Sequence, residues 1–201
     1  MKVALTIDAE HPDMPVSDPL GNAHSLLDVL GDAGVPTTFF VQSKWAAAHA
    51  ELPTRVVQEG HLLASHSHSH CVFPLLTAPG VLYELEESRR ILERFGPTAN
   101  RFRFPAGQGA GDKSLQPLLA QAGYRHIGWH CGGNDWGPGR TAAEVANPIV
   151  TYVRSYRRDV TVVLVHSWPD PTPEAVSQVL TQLRDEVEWV TLDEIPESQW
   201  L

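Results

Sequence analysis

The sequence predicts an α/β fold with a mostly parallel sheet, in a single domain spanning residues 1–201. Three observations carry that expectation. Short apolar, β-rich runs alternate with segments of helical period, strand then helix, seven times. Several helical segments are closed by a glycine, at Gly34, Gly60, Gly96 and Gly123. No linker, composition shift, internal repeat or low-complexity tract breaks the alternation.

The elements follow in order. A first strand covers residues 3–8 and runs into Asp8, Ala9 and Glu10. Residues 18–33 place Leu26, Leu27 and Leu30 on one helical face before Gly34. Residues 37–41 form a buried strand, and 44–50 with 53–59 a broken helix. A third strand, 61–65, leads into His66-Ser67-His68-Ser69-His70. Residues 79–95 carry the clearest amphipathic pattern, stopped by Gly96-Pro97. A strand at 101–104 and a helix at 113–122 come next, then a strand at 126–129. Thr141 opens a helix to residue 157 as its N-cap. An apolar strand at 160–165 ends at His166, followed by a helix at 173–186 and a last strand at 189–192.

Composition limits the functions to consider. Hydrophobic residues make up 42% and charged residues 19%, as in a globular protein. The net charge of −9 argues against nucleic acid or an anionic membrane as partner, since both need a basic face. No apolar run approaches the roughly 20 residues of a membrane span. Residues 1–8 are too short for the apolar core of a signal peptide, so a cytoplasmic location is expected. Cys71 and Cys131 are too few for a disulfide framework and read as free thiols; a ligand or redox role is the alternative.

The histidine cluster is the first chemical signal. His66 and His70 are four apart, so one helical turn would put both on the same side. Two imidazoles there suit a divalent cation, zinc first, with Co2+, Ni2+ or Mn2+ as alternatives. His68, at the intervening position, points elsewhere. In parallel α/β folds the active groups sit at the carboxyl ends of the strands. In this chain those ends carry Asp8 and Glu10, the histidine cluster, Arg103 to Gly107, Trp129 to Cys131 followed by Asp135-Trp136, and His166.

Taken together, these segments resemble the polysaccharide deacetylases of carbohydrate esterase family 4, with the NodB homology domain. The resemblance runs from Thr6 to about Leu192. Its motifs read here as Thr6-Ile7-Asp8-Ala9-Glu10, His66-Ser67-His68-Ser69-His70 after Glu59-Gly60-His61, Arg103-Phe104-Pro105-Ala106-Gly107, Gly132-Gly133-Asn134-Asp135-Trp136 and Leu164-Val165-His166. The family fold is a distorted (β/α)7 barrel. Three positions depart from the pattern. Ala9 stands where the family has a metal-binding acid, so Glu10 is the expected substitute ligand, with His11 as an alternative. Ala106 replaces a tyrosine, and Gly132 replaces the first acid of its motif.

The resemblance implies metal-dependent hydrolysis of an amide, most simply N-deacetylation of an amino sugar. His66, His70 and Glu10 would hold the cation, Asp8 would be the general base, and Arg103 would keep Asp8 ionised. The Ala106 N–H would help bind the oxyanion, and His166, oriented by Asp135, would protonate the leaving amine. Leu164 would wall the acetyl methyl or serve as plain core. Trp136 and Trp168 would flank the cleft, stacking on a sugar or simply packing. His130 and His68 are spare groups at the edge. Short loops point to a small or end-group glycan. The alternatives are a hydrolase for another small amide, a degenerate member that only binds metal or carbohydrate, and a histidine-rich metal carrier. The sequence leaves the substrate and the oligomeric state open.

Overall fold

The computed structural model describes residues 1–196; the last five residues of the expected domain, 197–201, lie outside it. Strand β1, Lys2–Ala9, is the axis of the molecule. It pairs in parallel with β7, Val160–His166, from Lys2 opposite Val160 to Asp8 opposite His166. Its other edge pairs first with β8, Glu188–Trp189, and then with β2, Thr38–Val41. Outward from β2 come β3 (Leu62–Ser65), β4 (Thr98–Phe102) and β5 (Arg125–His126); β6 (Cys131–Gly132) pairs with β7. All pairings are parallel.

The strands curl as the expected distorted barrel does, left open between β5 and β6. The segment between β5 and β6 is tied down at each edge: the Arg103 side chain donates to the Ile127 and Gly128 carbonyls, and the His130 N–H to Val162.

The pleat of β1 explains the layering. Val3, Leu5, Ile7 and Ala9 face outward into the main core, against helices α1 (Pro19–Ala33), α6 (Ala142–Tyr156) and α7 (Thr172–Leu183). Ala4 faces inward with Phe40, Ala64, Ile127 and Val162, an apolar floor inside the barrel. Asp8 shares Ala4's parity and therefore rises above that floor.

Gly34 and Thr141 cap their helices where the sequence puts them. Asp18 accepts the Gly21 N–H at the start of α1, and Gly34 ends it at φ 64°. Thr141 and Glu144 form a reciprocal capping box on α6. The broken helix is two pieces, α2 (Ser43–Ala48) and α3 (Glu51–Gln58).

Some boundaries differ from expectation. Helix α4, Ala78–Leu92, stops three residues short of residue 95, because the backbone tightens to i→i−3 bonds ahead of Pro97. Helix α5, Gln116–Gln121, is shorter than residues 113–122. Strand β6 is missing from the sequence reading; its two residues have no β pattern, and pairing with β7 alone makes them a strand. The stretch 127–129 leaves the sheet to serve Arg103. Among the described residues, no helix is long and apolar enough to cross a membrane.

Candidate active site

A cleft of about 580 Å³ opens at the carboxyl ends of the strands. Asp8, Glu10, His66, His70, Ala106, Asp135, Trp136, Leu164 and His166 all line it. Arg103 lies just beneath, fully buried, and reaches the cleft through Asp8.

The His66/His70 pair converges without a helical turn, which corrects the expected geometry. Residues 66–70 form a loop in which Ser67 (φ 67°) and His70 (φ 60°) take left-handed conformations. The His70 N–H closes back on Ser67 Oγ at 3.0 Å. His68 turns away, as expected, to Ser43 Oγ at 2.9 Å.

Three donor atoms meet at one point. His66 Nε2 lies 3.1 Å and His70 Nε2 2.7 Å from Glu10 Oε2. Glu10, His66 and His70 place one potential ligand atom each within 4.8 Å of one another. The pleat brings Glu10 there: two residues after Asp8, it returns to the inner face, while Ala9 points into the outer core. His11 is not part of the cluster; it is exposed, its N–H bonds Gln42 and its ring packs on His49.

The chemistry of this donor set fits a divalent cation. The Arg103 carbonyl accepts from His66 Nδ1 at 3.0 Å, so Nδ1 carries the proton and Nε2 presents a lone pair. That lone pair faces a carboxylate oxygen. Glu10 Oε2 is buried and, despite its short contacts, receives no correctly directed hydrogen bond. Its partner oxygen, Oε1, is held by the Trp168 indole N–H at 3.3 Å. Burial pushes the Glu10 carboxyl upward, but His66 and His70 outweigh it and hold it well below the usual range. Burial likewise works against a charged His70, and Glu10 reverses it, raising that histidine. A dication would satisfy the three lone pairs together.

On one side of the donor set lies Asp8. Arg103 binds its Oδ1 at 2.8 Å. The guanidinium rests over Phe40 at 4.1 Å and beneath Trp129 at 5.6 Å. Burial lowers the Arg103 pKa and Asp8 opposes that shift.

On the other side lies His166. Asp135 Oδ1 is 2.9 Å from its Nδ1, while Oδ2 accepts the His166 N–H at 2.6 Å and the Thr172 hydroxyl at 2.8 Å. Burial disfavours a charged His166, but Asp135 outweighs it and raises the pKa to about 9. Leu164 sits two residues earlier on the same face of β7, walling the cleft.

Several residues resolve otherwise than expected. Trp168 is buried and its indole N–H holds Glu10, so of these two it is Trp136, about half exposed, that is offered at the rim. His130 accepts the Val162 N–H, fixing the segment before β6 against β7. Cys71 and Cys131, by contrast, are free thiols as expected: they pack in separate cores, and burial raises both, Cys131 to about 12. Gly132 leaves no room for an acid: a Cβ there would lie 2.8 Å from the Leu164 carbonyl oxygen. The part Thr172 plays is not visible in the sequence, because a lone threonine carries no signal of its own, and nothing there links Trp129 to Arg103.

Comparison with known proteins gives the family and the fold. A profile described as Polysaccharide deacetylase matches residues 1–127. A chitooligosaccharide deacetylase from Rhizobium leguminosarum bv. trifolii is 30% identical over 172 residues, 85% of this chain and 76% of that protein. A family 4 carbohydrate esterase from Streptomyces lividans, solved with acetate, is 25% identical and superposes with a TM-score of 0.76 over 90% of this chain and 87% of that one. A peptidoglycan N-acetylglucosamine deacetylase shares the fold with a TM-score of 0.84 at 22% identity, covering 96% and 87% of the two chains. The chain belongs to the polysaccharide deacetylase family of hydrolytic enzymes.

Proposed function

We propose that the chain, as one deacetylase domain over residues 1–201, removes the acetyl group from an N-acetylated amino sugar. Glu10, His66 and His70 would hold a divalent cation, Zn2+ before Co2+, Ni2+ or Mn2+, given two imidazoles and one carboxylate. One observation carries the reading: Asp8 and His166 are register partners on adjacent strands and line one cleft with that cluster. The relatives named for chitooligosaccharide and peptidoglycan N-acetylglucosamine deacetylation favour the same substrate class.

When bound, the cation polarises the amide carbonyl and acidifies water. Asp8 takes the proton from the attacking water. Its Oδ1 is engaged by Arg103, so Oδ2 is the basic atom. The Ala106 N–H contributes to oxyanion binding. His166 has Nδ1 committed to Asp135, so Nε2 gives its proton to the leaving amine as the C–N bond breaks. Acetate and a free amine result. Leu164 bounds the acetyl methyl, and Trp136 offers an apolar face to the sugar. The cleft volume lies in the range of small-molecule sites, which favours an end sugar or short oligomer over a long glycan.

Acetate release from N-acetylglucosamine oligomers by cation-loaded protein tests this. Asp8→Asn should cost about 100- to 10,000-fold in kcat, and His66→Ala should lose both cation and turnover. Unchanged turnover in either variant, or stoichiometric cation binding without acetate release across N-acetyl sugars, overturns it.

A further inference from the structure

The histidine loop is held from behind by a carboxylate that the reaction does not use. Glu84 lies on α4, almost entirely buried. Its Oε2 accepts the His68 N–H at 3.0 Å and the Ser69 N–H at 2.8 Å, and its Oε1 accepts the Ser69 hydroxyl at 2.6 Å. One turn later on the same helix, Ser88 Oγ lies 2.7 Å from Ser65 Oγ, which in turn accepts the Ser67 N–H at 3.3 Å. The loop thus leans on one face of α4 from residue 65 to residue 69.

The loop needs that support. Ser67 and His70 both occupy the left-handed region, which is unfavourable for a non-glycine residue. Such conformations persist only where the surroundings over-determine them. Successive N–H groups gathered on one carboxylate oxygen form an anion cradle and fix the peptide planes between the two left-handed residues. His70 follows directly, and its ring must hold Nε2 within 2.7 Å of Glu10.

We propose that Glu84 is a positioning residue for His70: by clamping the His68 and Ser69 amides it pre-forms the donor set and sets the cation affinity. The inference rests on the cation reading of Glu10, His66 and His70. Glu84 touches neither substrate nor cation.

The chemistry makes the variants informative. Glutamine can turn its amide oxygen toward the two N–H groups and its NH2 toward Ser69 Oγ, preserving the clamp without the charge. Aspartate keeps the charge but is one methylene too short. Leucine keeps the bulk and removes the clamp.

The test is Zn2+ titration calorimetry on metal-stripped protein, with the visible spectrum of the Co2+ form as a second reading of ligand geometry. Glu84→Leu and Glu84→Asp should weaken Zn2+ binding by about 10- to 100-fold and alter the Co2+ spectrum. Glu84→Gln should stay near wild type. Wild-type affinity in Glu84→Leu and Glu84→Asp overturns the proposal. So does weak binding by Glu84→Gln with normal binding by Glu84→Asp, which would assign the effect to charge. Failure of all three variants to fold overturns it too, by assigning Glu84 to the fold. Absence of stoichiometric cation binding by the wild type would instead remove the cation reading beneath it.

Discussion

At the scale of single residues, the site runs on unequal sharing of oxygens and nitrogens. Asp8 gives one oxygen to Arg103 and keeps the other. His66 gives Nδ1 to a carbonyl and keeps Nε2. His166 gives Nδ1 to Asp135, and that contact makes it protonated through neutral pH, with its pKa raised to about 9. A group that donates a proton in the rate-limiting step is lost as pH rises through its pKa, so kcat should fall on the alkaline side. Asp135→Asn removes the negative charge that outweighs burial, so the His166 pKa drops and the alkaline limb moves to lower pH, by about one to two units. A bound dication lowers the limb in both proteins, so the difference between the two pH profiles of kcat is the quantity to read. Coincident profiles would exclude His166 as the acid. The residues proposed for these roles were legible in the sequence through residue type, order and the family resemblance. Which atom each residue keeps free was not, because hydrogen-bond direction depends on partners such as Thr172 and the Arg103 carbonyl that no motif marks.

At the scale of elements, the pleat of β1 decides which acid can bind. Asp8 and Glu10 share the inner face, and Ala9 packs among Leu26, Leu27 and the other apolar residues of the outer core. The period of two was legible from the sequence; the choice between Glu10 and His11 was not, and it is the structure that groups Glu10 with the two histidines. Strands with unbroken apolar runs, such as β7, were likewise readable, as were capped helices such as α1 and α6. Strand β6 and the departure of 127–129 from the sheet were not, since both are imposed by neighbours: the β7 backbone in one case and the Arg103 guanidinium in the other. The pleat argument yields a transplant experiment. Ala9→Asp with Glu10→Ala restores the spacing typical of the family, yet should not restore the cation site. The new carboxylate would enter an apolar layer with no partner, at a cost of about 3 kcal/mol or more. Calorimetry should find no Zn2+ binding, and urea denaturation should find the variant less stable by that order. Wild-type Zn2+ affinity in the double variant would mean that β1 can slip its register by one residue.

At the scale of the whole molecule, the open seam between β5 and β6 sets a pH limit on stability. His126 ends β5, its ring tilted against Phe104 at 4.9 Å, with Nδ1 buried and unpartnered. Burial, reinforced by the Arg103 charge, lowers its pKa to about 4. The unfolded chain therefore takes up this proton near pH 6.5, while the folded chain refuses it until about pH 4. The stability associated with a neutral His126 is complete above 6.5 and is lost as pH falls toward 4, a change of about 2–3 kcal/mol. His166 works in the opposite direction: raised to about 9, it contributes fully below 6.5 and loses its contribution as pH rises through 9. Metal-stripped protein should thus be most stable near pH 6.5, with His126, and with it His61, His130 and His11, which burial also lowers, weighing on the acid side down to pH 4.5. Below that, protonation of Glu10 adds to the loss, since its carboxyl is held well under the usual range. His126→Phe replaces the ring with an apolar one that suits the Phe104 contact and cannot be charged. Urea denaturation at pH 7 and pH 4.5 should show the wild type losing stability between the two and the variant losing about 2 kcal/mol less. Equal losses in both proteins would move the acid limit from the seam to the carboxylates of the site.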